Sequence, residues 1–565
     1  MNASNYAVAG AWAILAFSAT PAFSAVDPCS WSRDLRFING RIHTMDSRNS
    51  VVAEVTIRDG RFAVVVPGAK AAIGPCTKTI DLRGRTVVPG LIDNHNHFVS
   101  LGLRPGYDVR LETAFSISSI LDRIRERIKT APAGAFITST AGWSINQLDE
   151  KRIPTMAELD QAAPGNPVFM YPTGQGGGVV NHLAKAFFEG KQIKINADGT
   201  LPGGGISGST VGDAIGAMRT VQTFEDEKRG AIEAMTYSVS LGLTTNVDQG
   251  FNFLRGTPDL KDSPTGGPGI ESFSPWTVYD SFVALNREDK LLSRLRIFLY
   301  SVDTDMDTPI LKEHLLNNAP FSGDDMLRLA GVGERAVSWA APAPARGGGA
   351  PVRTAPPNLL ASLQFIAAQG WPFSQHSTSL NEDQIMTDAY EKVNAVTPIA
   401  GLHWSIGHVP KIDVPTLNRL KAIGVGVEPH AWVYLNGRAG AGPPFRTILE
   451  TGIHAGGGSD SVGVAPLDPW LMIYYMVTGR NAAGELINDG QQLTRDEALR
   501  LYTANNGWFF KEEDKLGSIE PGKLADLVVL SGDYFDPAKV ADKDIRLVKS
   551  ALTVVGGKIV YNTLN

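Results

Sequence analysis

Short apolar runs separated by turn residues fill both ends of the chain, and a different pattern fills the middle. Residues 35–45 (LRFINGRIHTM), 51–58, 61–66 and 78–82 are broken by Asn-Gly, Asp-Gly and Pro-Gly, the turn chemistry of hairpins. The C-terminus has the same texture over 524–530, 547–555 and 558–561. Two β-rich ends around a long middle predict one small β domain assembled from residues 25–86 and 511–565. In the middle, apolar runs alternate with amphipathic segments. Ile117, Ile120, Leu121, Ile124 and Ile128 share one helical face, and Thr494 with Glu497 makes a capping box. Roughly 350 residues of such alternation predict a parallel sheet closed into a (β/α)8 TIM barrel over 87–510.

Composition narrows the class. The 565 residues are 43% hydrophobic and 19% charged, as in an ordinary globular protein, and the net charge of -6 gives no basic surface for nucleic acid. Two cysteines exclude a disulfide scaffold and a multi-cysteine zinc site. The 59 glycines and 34 prolines imply many turns and long loops, among them 198–217 and 341–357. Residues 1–24 form a segment apart: they hold no Asp, Glu, Lys or Arg, and an apolar run over 7–19 precedes small residues at Ala22 and Ser24. That is a secretory signal peptide cut near Ser24/Ala25, although a basic start is missing. It predicts a periplasmic or secreted protein with no stable membrane insertion after cleavage, since no other stretch reaches the 18 or so apolar residues of a spanning helix. Cys29 and Cys76 would then mature in an oxidising compartment, paired or free.

Ten histidines are few, so their positions are informative. His95 and His97 close an apolar run, and on a strand residues i and i+2 share a face, so both can reach one metal. His376 and His408 each end a later short run, and Asp460 follows the glycine run of 455–461 (AGGGSDS). Four histidines and an aspartate at strand ends suit zinc or a similar divalent ion, whereas any one of them alone fits a hydrogen-bonded structural role better.

With VVPGLIDNHNH at 87–97, QHS at 375–377, GH at 407–408, GSDS at 458–461 and DKLGSIEPGKLAD at 514–526, the chain resembles the amidohydrolase superfamily. More narrowly it resembles its family-3 branch, which includes N-substituted formamide deformylases. The resemblance implies a metal-dependent (β/α)8 barrel with a β-sandwich built from both termini, hydrolysing a C–N bond. Ligands in such a barrel come from the ends of strands one, five, six and eight, sometimes with a bridge from strand four. Candidate strands here end at His97, Asp248, Tyr300, Glu334, His376, His408, His430 and Asp460. Reaching eight requires placing 135–140 and 167–171 in an α+β insertion after strand one, about 105–225, which the branch also resembles.

The count puts Glu334 at the strand-four position, as a bridge between two cations or as a carboxylate beside one. His95, His97, His376, His408 and Asp460 are then the ligands of one or two ions, zinc by donor chemistry. Asp460 would carry the proton from the metal-activated water to the leaving nitrogen. His430 is a candidate hydrogen-bond donor to substrate, with a structural role equally open, and Asp93 faces the other way as a structural residue. Where relatives carry a pocket histidine, this chain has Gly176, which weakens any transfer of substrate; His182 reads as a helix residue. The expected partner is a small molecule: an amide, a cyclic amide or imide, or an N-acyl compound. An ester, lactone or C–C bond on the same metal barrel is the alternative, and a metal-free binding protein the third reading.

Overall fold

The computed structural model describes all residues except 1–28, 30–31, 66–72, 174–176, 203–209, 251–277, 302, 304, 340–351, 462 and 565. The expected leader and Gly176 lie outside the described residues. The centre of the molecule is parallel. Strands β1 (Leu91–Asn96), β2 (Leu243–Asp248), β3 (Arg294–Leu299) and β4 (Leu327–Val332) form one sheet in the order β4-β3-β2-β1. Strands β5 (Ser374–His376), β6 (Ser405–His408) and β7 (Gly426–Pro429) form a second. A single parallel bridge, Val332 to Phe373, joins the two. Most of these strands are buried on both faces, which is why they read as continuous apolar runs rather than as alternations. Helices such as Phe224–Ser240, Leu359–Ala368 and Leu380–Asn394 pack on them through one large core that includes Trp371, Trp404 and Trp470.

The eighth strand, expected to end at Asp460, is not a strand. Residues 455–458 make only isolated parallel bridges to β7, Val427 to Ala455 and His430 to Gly458, while the Asp460 amide donates to the His95 carbonyl at 2.8 Å on the β1 side. The cause is the glycine run, which has no side chains to pack but lets backbones close up. A Cβ on Gly458 would stand 2.7 Å from His95 Cβ, and one on Gly456 2.2 Å from Asn506 Oδ1. The arrangement is a TIM-barrel-like α/β fold with seven ladder strands among the described residues.

The two ends of the chain meet in a mixed six-stranded sheet, where Thr86–Pro89 pairs antiparallel with Leu527–Leu530. A four-stranded sheet of Leu35–Ile38, Val55–Arg58, Arg61–Val64 and Lys78–Asp81 shares a core with it. Phe37, Ile42, Ile57 and Val87 pack there with Leu527, Val529 and Leu552. Each such side chain, fully buried, contributes about 1.5–3 kcal/mol, and this apolar contact holds the termini together. Cys29 and Cys76, open between pairing and free thiols, are disulfide-bonded.

A third region follows β1. Tyr107–Asp108, Ile137–Thr140, Val168–Tyr171 and Val179–Val180 form their own sheet, and helix Ile117–Ile128 buries Ile117, Ile120, Leu121 and Ile124 in a core separate from that of the parallel sheets. Its loops reach those that follow the parallel strands: Ser144 Oγ donates to Asn436 Oδ1 at 2.6 Å, and Thr173 Oγ1 to the Gly463 carbonyl at 3.3 Å.

Candidate metal centre

The C-terminal ends of the parallel strands deliver imidazoles and carboxylates to one place. From β1 come His95 and, one residue beyond it, His97; from β5 and β6 come His376 and His408. The residue they share is Glu334, two positions past β4. Its Oε2 lies 2.8 Å from His376 Nδ1, 3.3 Å from His95 Nε2 and 3.4 Å from His408 Nε2. Two sets of ligand atoms therefore meet at one carboxylate: His95, His97 and Glu334 in one, and Glu334, His376 and His408 in the other, each set within 4.8 Å. Asp460 sits against both, Oδ1 at 3.2 Å from His97 Nε2 and Oδ2 at 3.4 Å from His408 Nδ1. His408 (φ 70°) and Asp460 (φ 58°) both adopt left-handed backbone, a cost of order 1 kcal/mol each that the surrounding packing holds in place.

The residues fit a divalent ion. All donors are imidazole nitrogen or carboxylate oxygen, the set that zinc and its neighbours take. His95 Nε2 is buried and has no hydrogen-bond partner although it faces a carboxylate, as expected of a nitrogen directed at a cation. Tautomers are set from behind. His95 Nδ1 lies 3.2 Å from Glu428 Oε2, whose other oxygen accepts from Ser405 Oγ, and His97 Nδ1 donates to the Gly250 carbonyl. Protonating each Nδ1 this way leaves Nε2 free to ligate.

Charge follows from packing. Burial opposes a charge on His95, but Glu334 and Glu428 on either side outweigh it and raise its pKa to about 10, so an ion ligated at Nε2 would take the place of a proton there. Burial lowers His376 to about 4 against the pull of Glu334. Glu334 resists its own burial because His376, His408 and His95 surround it, and it stays well below the usual carboxylate range. Burial together with His95 and His408 keeps His430 well below the usual imidazole value.

Of the other candidates, His430 is fully buried with Nδ1 3.1 Å from His408 Nδ1, and its Nε2 makes no hydrogen bond, with Glu428 Oε2 4.0 Å away. Asp93 faces away and ties β1 to the Asp460 turn, accepting from Ser459 Oγ at 2.5 Å and Ser459 N at 3.0 Å. Exposed His182 starts the helix His182–Gly190, which buries Ala184 and Phe188, and pairs with Asp160. Glu428 is the residue that sequence reasoning passed over. It stands two positions before His430 on β7, so the same-face rule that linked His95 to His97 would have found it.

The model of the Amidohydrolase family matches residues 78–561. The chain belongs to the amidohydrolase family. As an amidohydrolase it is a metal-dependent enzyme that hydrolyses C–N bonds. It is 24% identical over 575 aligned positions to the N-substituted formamide deformylase of Arthrobacter pascens, covering 94% of this chain and 98% of that one. It is 25% identical to the putative amidohydrolase YtcJ of Bacillus subtilis, with 92% and 98% covered. Among solved structures, an uncharacterized metal-dependent hydrolase from Pyrococcus furiosus shares the fold at a TM-score of 0.57 and 20% identity, over 89% of this amidohydrolase and 100% of that chain. A variant of atrazine chlorohydrolase TrzN from Arthrobacter aurescens TC1, solved with zinc and atraton, superposes at 0.52 with 14% identity, over 94% and 95%.

Proposed function

We propose that this amidohydrolase is an exported enzyme with a two-ion, zinc-type centre that cleaves an amide, a cyclic amide or imide, or an N-acyl compound. The observation that carries the reading is the shared carboxylate: one oxygen of Glu334 stands within 3.4 Å of nitrogens from three strands and belongs to both ligand sets. A divalent ion held there supplies an activated water and polarises the scissile carbonyl. Asp460, against both ligand sets, accepts the proton released as the water oxygen bonds to the carbonyl carbon, and delivers it to the nitrogen as the C–N bond breaks. Neutral His430 offers its unpartnered Nε2 side as a donor to the substrate. Glu428 keeps His95 in the ligating tautomer.

In this reading the seven ladder strands and the non-strand segment 455–458 together make the barrel of 87–510, the two terminal sheets form a sandwich from 25–86 and 511–565, and 105–225 is an insertion beside the site. The Cys29–Cys76 bond supports an oxidising compartment, in line with the expected leader. Family membership speaks against the metal-free binding reading, and the same membership favours C–N hydrolysis over ester, lactone or C–C cleavage. The test is metal content by mass spectrometry alongside hydrolysis of an amide panel. About two equivalents per chain are expected, falling to about one or fewer in Glu334→Ala with loss of activity. One equivalent in the parent, unchanged in the variant, would return Glu334 to a supporting role.

A further inference from the structure

The metal centre is open on one side. His95, His97 and His408 are 0–3% exposed at the side chain and His376 is 20% exposed, so the centre is most open to solvent past His376. Two residues there have no part in the reaction described above. Tyr300 follows β3 directly and Arg335 follows Glu334 after β4, and the two loops are held side by side by the Ser301 amide donating to the Arg335 carbonyl at 3.2 Å. Burial opposes the charge of the Arg335 guanidinium, but the Glu334 and Glu382 carboxylates nearby outweigh it, and the guanidinium also stands close enough to the Tyr300 phenol and to His376 for its charge to act on both.

Both neighbouring carboxylates are otherwise engaged. Glu334 faces three imidazoles. Glu382 is paired with Arg353 and accepts from Thr378 N at 2.6 Å and Thr378 Oγ1 at 2.9 Å. Among the described residues no carboxylate oxygen lies within ion-pair distance of Arg335, and its buried Nε has no hydrogen-bond partner. The Tyr300 hydroxyl likewise makes no hydrogen bond, and burial pushes its pKa up to about 12, so it remains an O–H donor. The buried Arg294 and Arg296 are treated otherwise, each meeting a carboxylate at 2.8 Å. Among the described residues this largely buried guanidinium has no counter-ion at ion-pair distance, a costly arrangement that an anionic ligand would relieve.

We propose that Arg335 and Tyr300 form a carboxylate subsite beside the metal centre, which makes the substrate class acylated amines that carry a carboxylate, of the N-acyl amino acid type. This rests on the C–N hydrolase reading above. The planar guanidinium presents paired N–H donors to a carboxylate and the phenol adds a third.

The experiment is calorimetric binding to zinc-loaded, full-length Asp460→Asn protein, which holds substrate without turning it over. The probes are N-acetylglycine and both enantiomers of N-acetylphenylalanine, each as free acid and as α-amide. At least one free acid binds about tenfold or more tighter than its amide; Arg335→Gln reduces that ratio to about twofold or less, Arg335→Lys retains part of it, and Tyr300→Phe lowers it about threefold. No discrimination in any pair, or a preference that survives Arg335→Gln at unchanged zinc content, overturns the subsite. If Arg335→Gln fails to hold zinc, Tyr300→Phe decides: an unchanged ratio there overturns it too. The readout is binding, so a wild-type enzyme that hydrolyses no amide counts against the proposed function and not against the subsite.

Discussion

The two ends of the parallel strands both bury charge, and they do so with opposite chemistry. At the N-terminal ends, Arg294 of β3 meets Asp526 through Nε and Nη2, each at 2.8 Å, and Asp526 also accepts from the Gly556 amide. Arg296 meets Glu512 at 2.8 Å, and Arg328 of β4 joins the same carboxylate. Every carboxylate in this cluster has a permanent cation, so the cluster is electrically complete and ties the parallel sheet to the C-terminal segment. At the C-terminal ends, Glu334, Glu428 and Asp460 are surrounded by imidazoles, which gain or lose charge with protons and offer lone pairs. That cluster is complete only with cations from outside. Buried carboxylates alone therefore do not mark a site; the partner type decides whether the cluster is closed or receptive.

Breaking the closed end should have the largest effect. Asp526→Ala leaves Arg294 buried without its carboxylate and is expected to cost about 3–5 kcal/mol in chemical denaturation. A loss under about 1 kcal/mol would mean that the ion pair is not what secures that end. At the receptive end the damage should fall on rate. Asp460→Asn is expected to lower turnover of an amide substrate well over a hundredfold, within the usual range of acid–base contributions, with the fold intact by circular dichroism. A variant with a near-normal rate would remove the shuttle role. Smallest and most selective is Glu428→Gln. It leaves every proposed ligand in place, weakens only the hold on the His95 tautomer, and should reduce zinc affinity about 10- to 100-fold in a competition titration. Unchanged affinity would show that packing alone orients the ring.

Much of the receptive end was legible because it obeys short-range rules. His95 and His97 share a strand face by their spacing, and counting apolar runs brought Glu334 to the fourth position, just before the runs that end in His376 and His408. The closed end was not legible: Arg294, Arg296 and Arg328 sit in runs that read only as strand, and their partners lie over 180 positions further on, a separation no local pattern encodes. Glu428 was hidden for a different reason, since Glu-Pro-His reads as a strand end with one candidate. The missing eighth strand shows the limit of counting runs. Glycines at 456–458 signal close backbone approach, but only the three-dimensional arrangement shows that His95 and Asn506 are what they approach. The cysteines, 47 positions apart, gave no distance from which to infer a bond.

The six-stranded sheet has a consequence for how the protein is made. Half its strands, Leu527–Leu530, Ser550–Val555 and Lys558–Asn562, are synthesised long after the others, and Thr86–Pro89 waits for the first of them as its antiparallel neighbour. No ribosome-bound chain short of them can complete that sheet or its core. A stop codon ahead of Leu527 would therefore strip Thr86–Pro89 of its antiparallel neighbour, undoing a structure laid down over 400 residues earlier.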